Sequence, residues 1–301
     1  MSENLKLPAY GGQALIDGVL MRGKNFMAAS FRKPDGTIET VTEELSGIYK
    51  SAIRKIPFLR GLVMLWDSLV LGTKYLTISA NMQAEDEEEK IEGGSLVLTL
   101  LMSITVFVAL FFLVPSAIGQ GFENWLGITH WWSNVIEGLI RLVFVIVYIW
   151  AVGKMDDIER VFMYHGSEHK TVNTFEAGKP LTVESVQEAS LVHPRCGTSF
   201  LLTLVIISVL VFALVGPQTV LVRLISRIIL LPVIVGIAYE YIRFTSNHLD
   251  SKFIQWLMIP NLKLQDLTTR QPDDDMVEVA ITAFTTMLKL ENGETQPETA
   301  E

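Results

Sequence analysis

A single cysteine, Cys196, stands among the 301 residues, which excludes an intramolecular disulfide and fits a reducing, cytosolic setting for that residue. A basic stripe interleaved with aromatics is also missing, and the net charge is -9, so no nucleic-acid partner is expected. The first residues, MSENLKLPAYGG, hold no apolar run, and no cleavable signal peptide is expected from them. No internal repeat is present, which leaves an inverted-repeat transporter without its main support.

What the chain has in abundance is apolar residues in blocks. They make up 50% of it, with a mean hydropathy of +0.37. Segments 95–118, 135–153, 200–222 and 228–245 each approach the roughly 20 apolar residues a helix needs to cross about 30 Å of hydrocarbon. The expected fold is therefore mainly α: a polytopic membrane protein with four transmembrane helices. Lys and Arg set its orientation. Eleven of the 24 precede residue 95, five fall in 154–199, five follow from Arg243 onward, and 119–134 has none. Both termini and the 154–199 loop are thus expected on the cytoplasmic side of the membrane, with Trp125, Trp131 and Trp132 anchoring the outer interface beside His130.

The remaining stretches are shorter. Residues 10–23 space glycines among apolar residues and suit a tight extended segment, while 25–42 reads as two strands around Pro34-Asp35-Gly36. A small cytoplasmic β-hairpin element is expected. Residues 43–80 look helical, but Arg60, Asp67 and Lys74 interrupt them, so this helix lies in the interface or on the bundle and is not a fifth span. The acidic run 85–92 reads as a solvated connector, 261–275 as a polar connector, 276–290 as a docked amphipathic helix and 291–301 as a disordered tail. The implied regions are 1–94 (cytoplasmic, with hairpin and interfacial helix), 95–247 (transmembrane, with the loop 154–199), 248–290 (C-terminal cytoplasmic) and the tail.

Chemistry concentrates in the 154–199 loop. Three of the five histidines, His165, His169 and His193, lie there with Cys196, Glu168 and Glu176. A helix ending at Gly178, before Pro180, would stack His165 and His169 on one face, a half-site for a divalent ion, best zinc. HGSEH also matches the H-x-x-E-H pattern in which the glutamate is general base, a role that falls here to Glu168. The plainer reading is an exposed polar helix at the membrane face. His193 with Cys196, Glu176, or Glu240 in the fourth apolar segment are candidates to complete the ligand set, Glu240 being alternatively an i, i+3 partner of Arg243. His248 is a candidate supporting residue. Arg195, Thr198 and Ser199, opening the third apolar segment, are candidates to contact an anion such as a lipid phosphate, and Cys196 is placed to act as nucleophile or ligand. A capped helix start explains the same residues without ligand.

Four ordered stretches, GGQALIDGVLMRG at 11–23, HGSEHKTVNTFE at 165–176, HPRCGTSF at 193–200 and LTTRQPDDDMVEVAI at 267–281, resemble the YqhQ-like family of bacterial membrane proteins. The resemblance implies a metal-dependent enzyme, with His165, Glu168, His169, His193 and Cys196 in the matching motifs. It brings neither a substrate nor an oligomeric state. Two functions compete: a metal-dependent hydrolase acting at the cytoplasmic face on a lipid head group or a membrane-proximal peptide, and a non-catalytic scaffold or assembly factor whose cluster is structural. A transporter ranks last, since only Glu137, Arg141, Glu240 and Arg243 offer ionisable groups in the apolar segments.

Overall fold

The computed structural model describes residues 10–45, 52–84, 90, 93–215 and 219–294. The acidic run 85–92, Lys90 apart, and the tail from 295 lie outside the described residues. Four strands open the chain: β1 (Gly11–Leu15), β2 (Gly18–Arg22), β3 (Phe26–Arg32) and β4 (Ile38–Glu44), paired as an antiparallel meander in that order. The expected hairpin is β3–β4, closed through Pro34-Asp35-Gly36 with Gly36 at φ 84°. Residues 10–23, expected only as extended, form a second hairpin. It turns at Asp17, held at φ 49°, a conformation that the short polar Asp side chain tolerates.

Both faces of the sheet are covered, which is why β2 and most of β3 are buried without the alternation of a half-exposed strand. On one face Leu15, Leu20, Met27 and Phe31 pack against Leu71 and Tyr75 of α1 (Leu59–Gln83). On the other, Val19, Met21 and Ala28 meet Tyr164 and Val172 of α5 (Asp156–Glu176) and Met276, Phe284 and Met287 of α10 (Asp274–Glu291). α10 is the expected amphipathic helix, N-capped by Asp273, whose carboxylate accepts the Met276 N–H at 2.8 Å. It reaches one residue into the segment expected to be disordered. Glu291 accepts the backbone N–H groups of Asn25 and Phe26 at 2.5 and 2.8 Å and so ties the end of α10 to the β2–β3 turn.

α1 is not among the four helices long and apolar enough to cross a membrane. Each of the charges that interrupt it has a protein partner: Arg60 binds Glu240 of α8 (Val220–Ser246), Asp67 binds Arg22, and Lys74 binds Glu43 at 2.5 Å. Its outer side exposes Trp66, Leu69 and Val70.

The four candidate spans are residues 93–126, α4 (His130–Val152), α7 (Gly197–Leu214) and α8. The chain is a multi-pass membrane protein. The first span comprises α2 (Gly93–Val108), a π turn at Ala109–Leu113 and α3 (Val114–Leu126). Pro115 has no N–H to give, and the widened turn just before it leaves the Phe111 carbonyl to accept Arg141 Nε at 2.8 Å. The third and fourth apolar segments divide earlier than their composition suggests. α7 stops at Leu214 and α8 begins at Val220, so the expected third span, 200–222, is cut short and Arg223 and Arg227 belong to α8.

Arg223 and Arg227 close a buried charge cluster that the sequence did not reveal. Glu137 accepts from Arg141 at 2.8 Å, Arg223 at 3.1 Å and Arg227 at 3.0 Å, while Asn134 Oδ1 accepts from Arg223 and Arg227. None of the four charged side chains is more than 5% exposed. Glu137 therefore joins α4 to α8, and Arg141 ties α4 to the π turn at Phe111 and to Ser208 of α7.

At the end of the bundle where α4 and α8 finish and α7 starts, α9 (Lys252–Thr268) packs on α7. Residues 261–268, expected as a polar connector, are thus helical. Asn261 and Gln265 are turned inward and buried, while Lys263 and Asp266 stay exposed.

Candidate functional site

Helix α5 carries the central residues. Asp156, Asp157 and Glu159 in its first turn complement the helix dipole, and it ends just before Gly178, whose φ of 67° reverses the chain ahead of Pro180. His165 and His169, one turn apart, present their rings on one face with centroids 4.4 Å apart. A short helix, α6 (Val183–Gln187), and the following loop return the chain across that face to Cys196, which N-caps α7.

Each histidine is fixed in one tautomer by an oxygen that can only accept. His165 Nδ1 donates to the Thr268 carbonyl at 2.9 Å, His169 Nδ1 to the Leu191 carbonyl at 2.6 Å and His193 Nδ1 to Asn173 Oδ1 at 2.8 Å. The Asn173 amide is itself oriented, because its Nδ2 donates to the carbonyls of Ser190 and Val192. All three Nε2 atoms are left with a lone pair. His165 Nε2 lies 3.3 Å from Cys196 Sγ, and the Nε2 atoms of His169 and His193 are buried with no hydrogen-bond partner.

Ligand atoms of His165, His169 and Cys196 all lie within 4.8 Å of one another. Bonds of about 2.0 Å to nitrogen and 2.3 Å to sulfur place N and S about 3.5 Å apart around a tetrahedral zinc, close to the 3.3 Å separation of His165 and Cys196. The donor set, two or three imidazoles and a sulfur, suits zinc or a similar borderline ion. His193 borders this trio, its ring 5.8 Å from that of His169. Burial pushes its pKa down to about 4, so it stays neutral and able to coordinate at neutral pH. Burial acts in the same direction on His169, but the Cys196 sulfur and the Glu168 carboxylate outweigh it and raise that pKa. Glu168 Oε2 stands 3.5 Å from His169 Nε2, with its side chain 6% exposed. It fits against Gly12 of β1, where an added Cβ would meet Glu168 Cγ at 2.7 Å.

The other candidates are engaged elsewhere. Glu176 is ion-paired with Arg195. Glu240 binds Arg60 and accepts the Phe58 N–H at 3.1 Å, so neither the expected approach to the histidines nor the Arg243 pair describes it. His248 donates to the Phe244 carbonyl of its own helix and is exposed; it supports none of the three histidines. Thr198 directs its hydroxyl and backbone N–H at Cys196 Sγ, at 3.0 and 3.4 Å, and Ser199 accepts from Gln265 Nε2 at 3.0 Å. These two residues organise the start of α7. Arg195 lines a cavity of about 430 Å³ that opens beside Cys196 between β1, α1 and the ends of α7 and α8.

Three structural contributors escaped the sequence reading. Gln265 clamps the His193 backbone from both sides, accepting its N–H at 3.0 Å and donating to its carbonyl at 2.9 Å. Asn173 had a visible signal, as a polar residue one turn past His169 on the same helix. Gly166 had only its identity: a Cβ there would collide with the Arg270 carbonyl, so glycine lets α5 approach the segment that supplies the Thr268 acceptor.

A family model described as "Protein of unknown function (DUF1385)" matches residues 56–290, a span that contains every residue of the cluster. The chain belongs to this family. The "Uncharacterized protein YqhQ" of Bacillus subtilis (strain 168) is 36% identical over 97% of this chain and 96% of its own length. The expected family is thereby established, and neither description names an enzyme or a metal. No solved structure matches the chain.

Proposed function

We propose that this DUF1385 protein is a metal-dependent hydrolase embedded in the bacterial inner membrane, with its site at the cytoplasmic face. The observation that carries this reading is the set of three histidines, each pinned through Nδ1, with ligand atoms of His165 and His169 within 4.8 Å of the Cys196 sulfur and with the buried Nε2 atoms of His169 and His193 left without hydrogen-bond partners. Buried polar atoms are rarely left unpaired, and this arrangement, with the far ring nitrogen held by a backbone or amide oxygen, is the usual support for an imidazole ligand. His165, His169 and Cys196 would hold the ion, and His193 would be the further ligand.

A divalent ion held by these residues would supply Lewis-acid polarisation and make water easier to deprotonate. Glu168, whose Oε2 lies 3.5 Å from His169 Nε2, would be the general base. The Leu191, Thr268 and Asn173 oxygens keep the imidazoles from rotating, and Gln265 holds His193 against α7. The cytoplasmic placement rests on the distribution of Lys and Arg, eleven before residue 95 and none in 119–134.

A non-catalytic scaffold with a structural metal is favoured by a different observation, the donor set of His165, His169 and Cys196, all N and S with no carboxylate among them. Substitution with cobalt separates a bound ion from an empty polar network. The purified protein is expected to develop a thiolate-to-cobalt charge-transfer band that Cys196→Ser lacks. Absence of that band from the wild type would remove Cys196 from the ligand set.

A further inference from the structure

Between α6 and Cys196 the chain crosses the histidine face of α5 with little apolar anchorage. Val186 is fully buried, but no residue from Gln187 to Val192 is, and Glu188 and Ser190 are exposed. Few buried apolar contacts mean low local stability. What holds this strap down is a set of α5 side chains that grip its carbonyls. Lys170 Nζ donates to those of Gln187 and Ala189 at 2.7 and 2.9 Å, Asn173 Nδ2 to those of Ser190 and Val192 at 2.8 and 3.1 Å, and His169 Nδ1 to that of Leu191 at 2.6 Å. Its near end is fixed separately, since Gln187 Nε2 donates to the Pro272 carbonyl and to Asp274 Oδ1. Its far end delivers His193, held by Asn173 and Gln265.

Lys170 has no part in the proposed chemistry. It is buried, and no carboxylate among the described residues pairs with it, so the two strap carbonyls are what satisfies this cation. The closed strap also carries a cost. While it is down, the Nε2 atoms of His169 and His193 are buried with no hydrogen-bond partner. A buried acceptor without a donor is penalised by its lost hydration, which favours opening; a cation on those lone pairs removes the penalty with the strap closed.

We propose that segment 187–193 is a latch that lifts to admit the ion and closes on it, with Lys170 as the residue that fastens it. The proposal rests on the metal reading of the cluster and adds how that site is loaded and sealed. Closure and loading are linked: the ion stabilises the closed strap by the same free energy with which the closed strap, bringing His193, stabilises the ion.

The test is hydrogen–deuterium exchange of the full-length protein in detergent, read by mass spectrometry, metal-free and with zinc. With free zinc at about 100 times its Kd, peptides covering 187–193 are expected to exchange about tenfold more slowly or better, the ceiling being about a hundredfold. Peptides from β2, β3 and α10 should not change, and they also report whether a variant has folded. Lys170→Met keeps a long side chain and removes its charge. In the metal-free protein it should speed strap exchange about tenfold, the loss of one charge-assisted hydrogen bond, and it should raise the Kd for zinc. Should Lys170→Met lose protection in the sheet, Asn173→Ala, which frees the Ser190 and Val192 carbonyls, carries the same expectation for the strap.

Strap exchange that ignores bound zinc, or that matches the wild type in both variants, would overturn the latch. Zinc content is measured on the same samples. Bound zinc without a strap response removes the latch alone and leaves the hydrolase reading in place. A strap response in a protein that hydrolyses nothing keeps the latch and removes the hydrolase. Protein that takes up no zinc overturns both.

Discussion

Glu137→Gln is expected to destabilise the protein by about 3–5 kcal/mol, the cost of removing one partner from a buried ion pair. The carboxylate accepts from three guanidinium groups, and the substituted amide would turn a donor toward at least one of them. Water cannot substitute, because Glu137, Arg141, Arg223 and Arg227 are each 5% exposed or less within the span region. The measurement is the unfolding midpoint in detergent, for Glu137→Gln, Arg227→Met and the double variant. The two losses should add to clearly more than the double variant shows, since once the acceptor is gone Arg227 has less to lose. Additive losses would mean that the cluster does not act as a unit.

Glu168→Gln is expected to reduce the proposed hydrolysis by about 10²–10⁴-fold, the usual contribution of a general base. The substitution keeps the side chain's shape against Gly12, where space is tight, so the fold and the ligand set should survive it. Metal content should therefore match the wild type while turnover falls. Undiminished turnover would show that Glu168 moves no proton in the reaction. Its 3.5 Å separation from His169 Nε2 would then reflect electrostatic support for that ring alone.

The helical membrane architecture was legible because long apolar blocks have few alternative structures. Its boundaries were less so. The third segment runs through Val222 in hydropathy, yet the helix ends at Leu214, and that shift left Arg223 and Arg227 in the gap between the third and fourth expected segments. The first β-hairpin was obscured because β2 is buried on both faces and does not alternate.

In the site, the pairing of His165 with His169 followed from helical spacing, and the proximity of Cys196 from their presence in one loop. The partners that orient the rings could not be read in advance. Two are backbone carbonyls, at Leu191 and Thr268, which carry no side-chain signature. Gln265 was hidden in a stretch that looked like a solvated connector because its polar groups are satisfied internally. Glu240 misled for the opposite reason: an ionisable group in an apolar segment signals a partner without saying which, and that partner is Arg60.

The central claim is that the three imidazoles and Cys196 converge on one cation. Elemental analysis of protein purified without chelator tests it most directly, on the wild type and on the variant carrying both His165→Ala and His169→Ala. The account predicts about one equivalent of a divalent transition metal, zinc foremost, in the wild type and none in the double variant. A wild type free of metal, or a double variant that keeps it, would contradict the account.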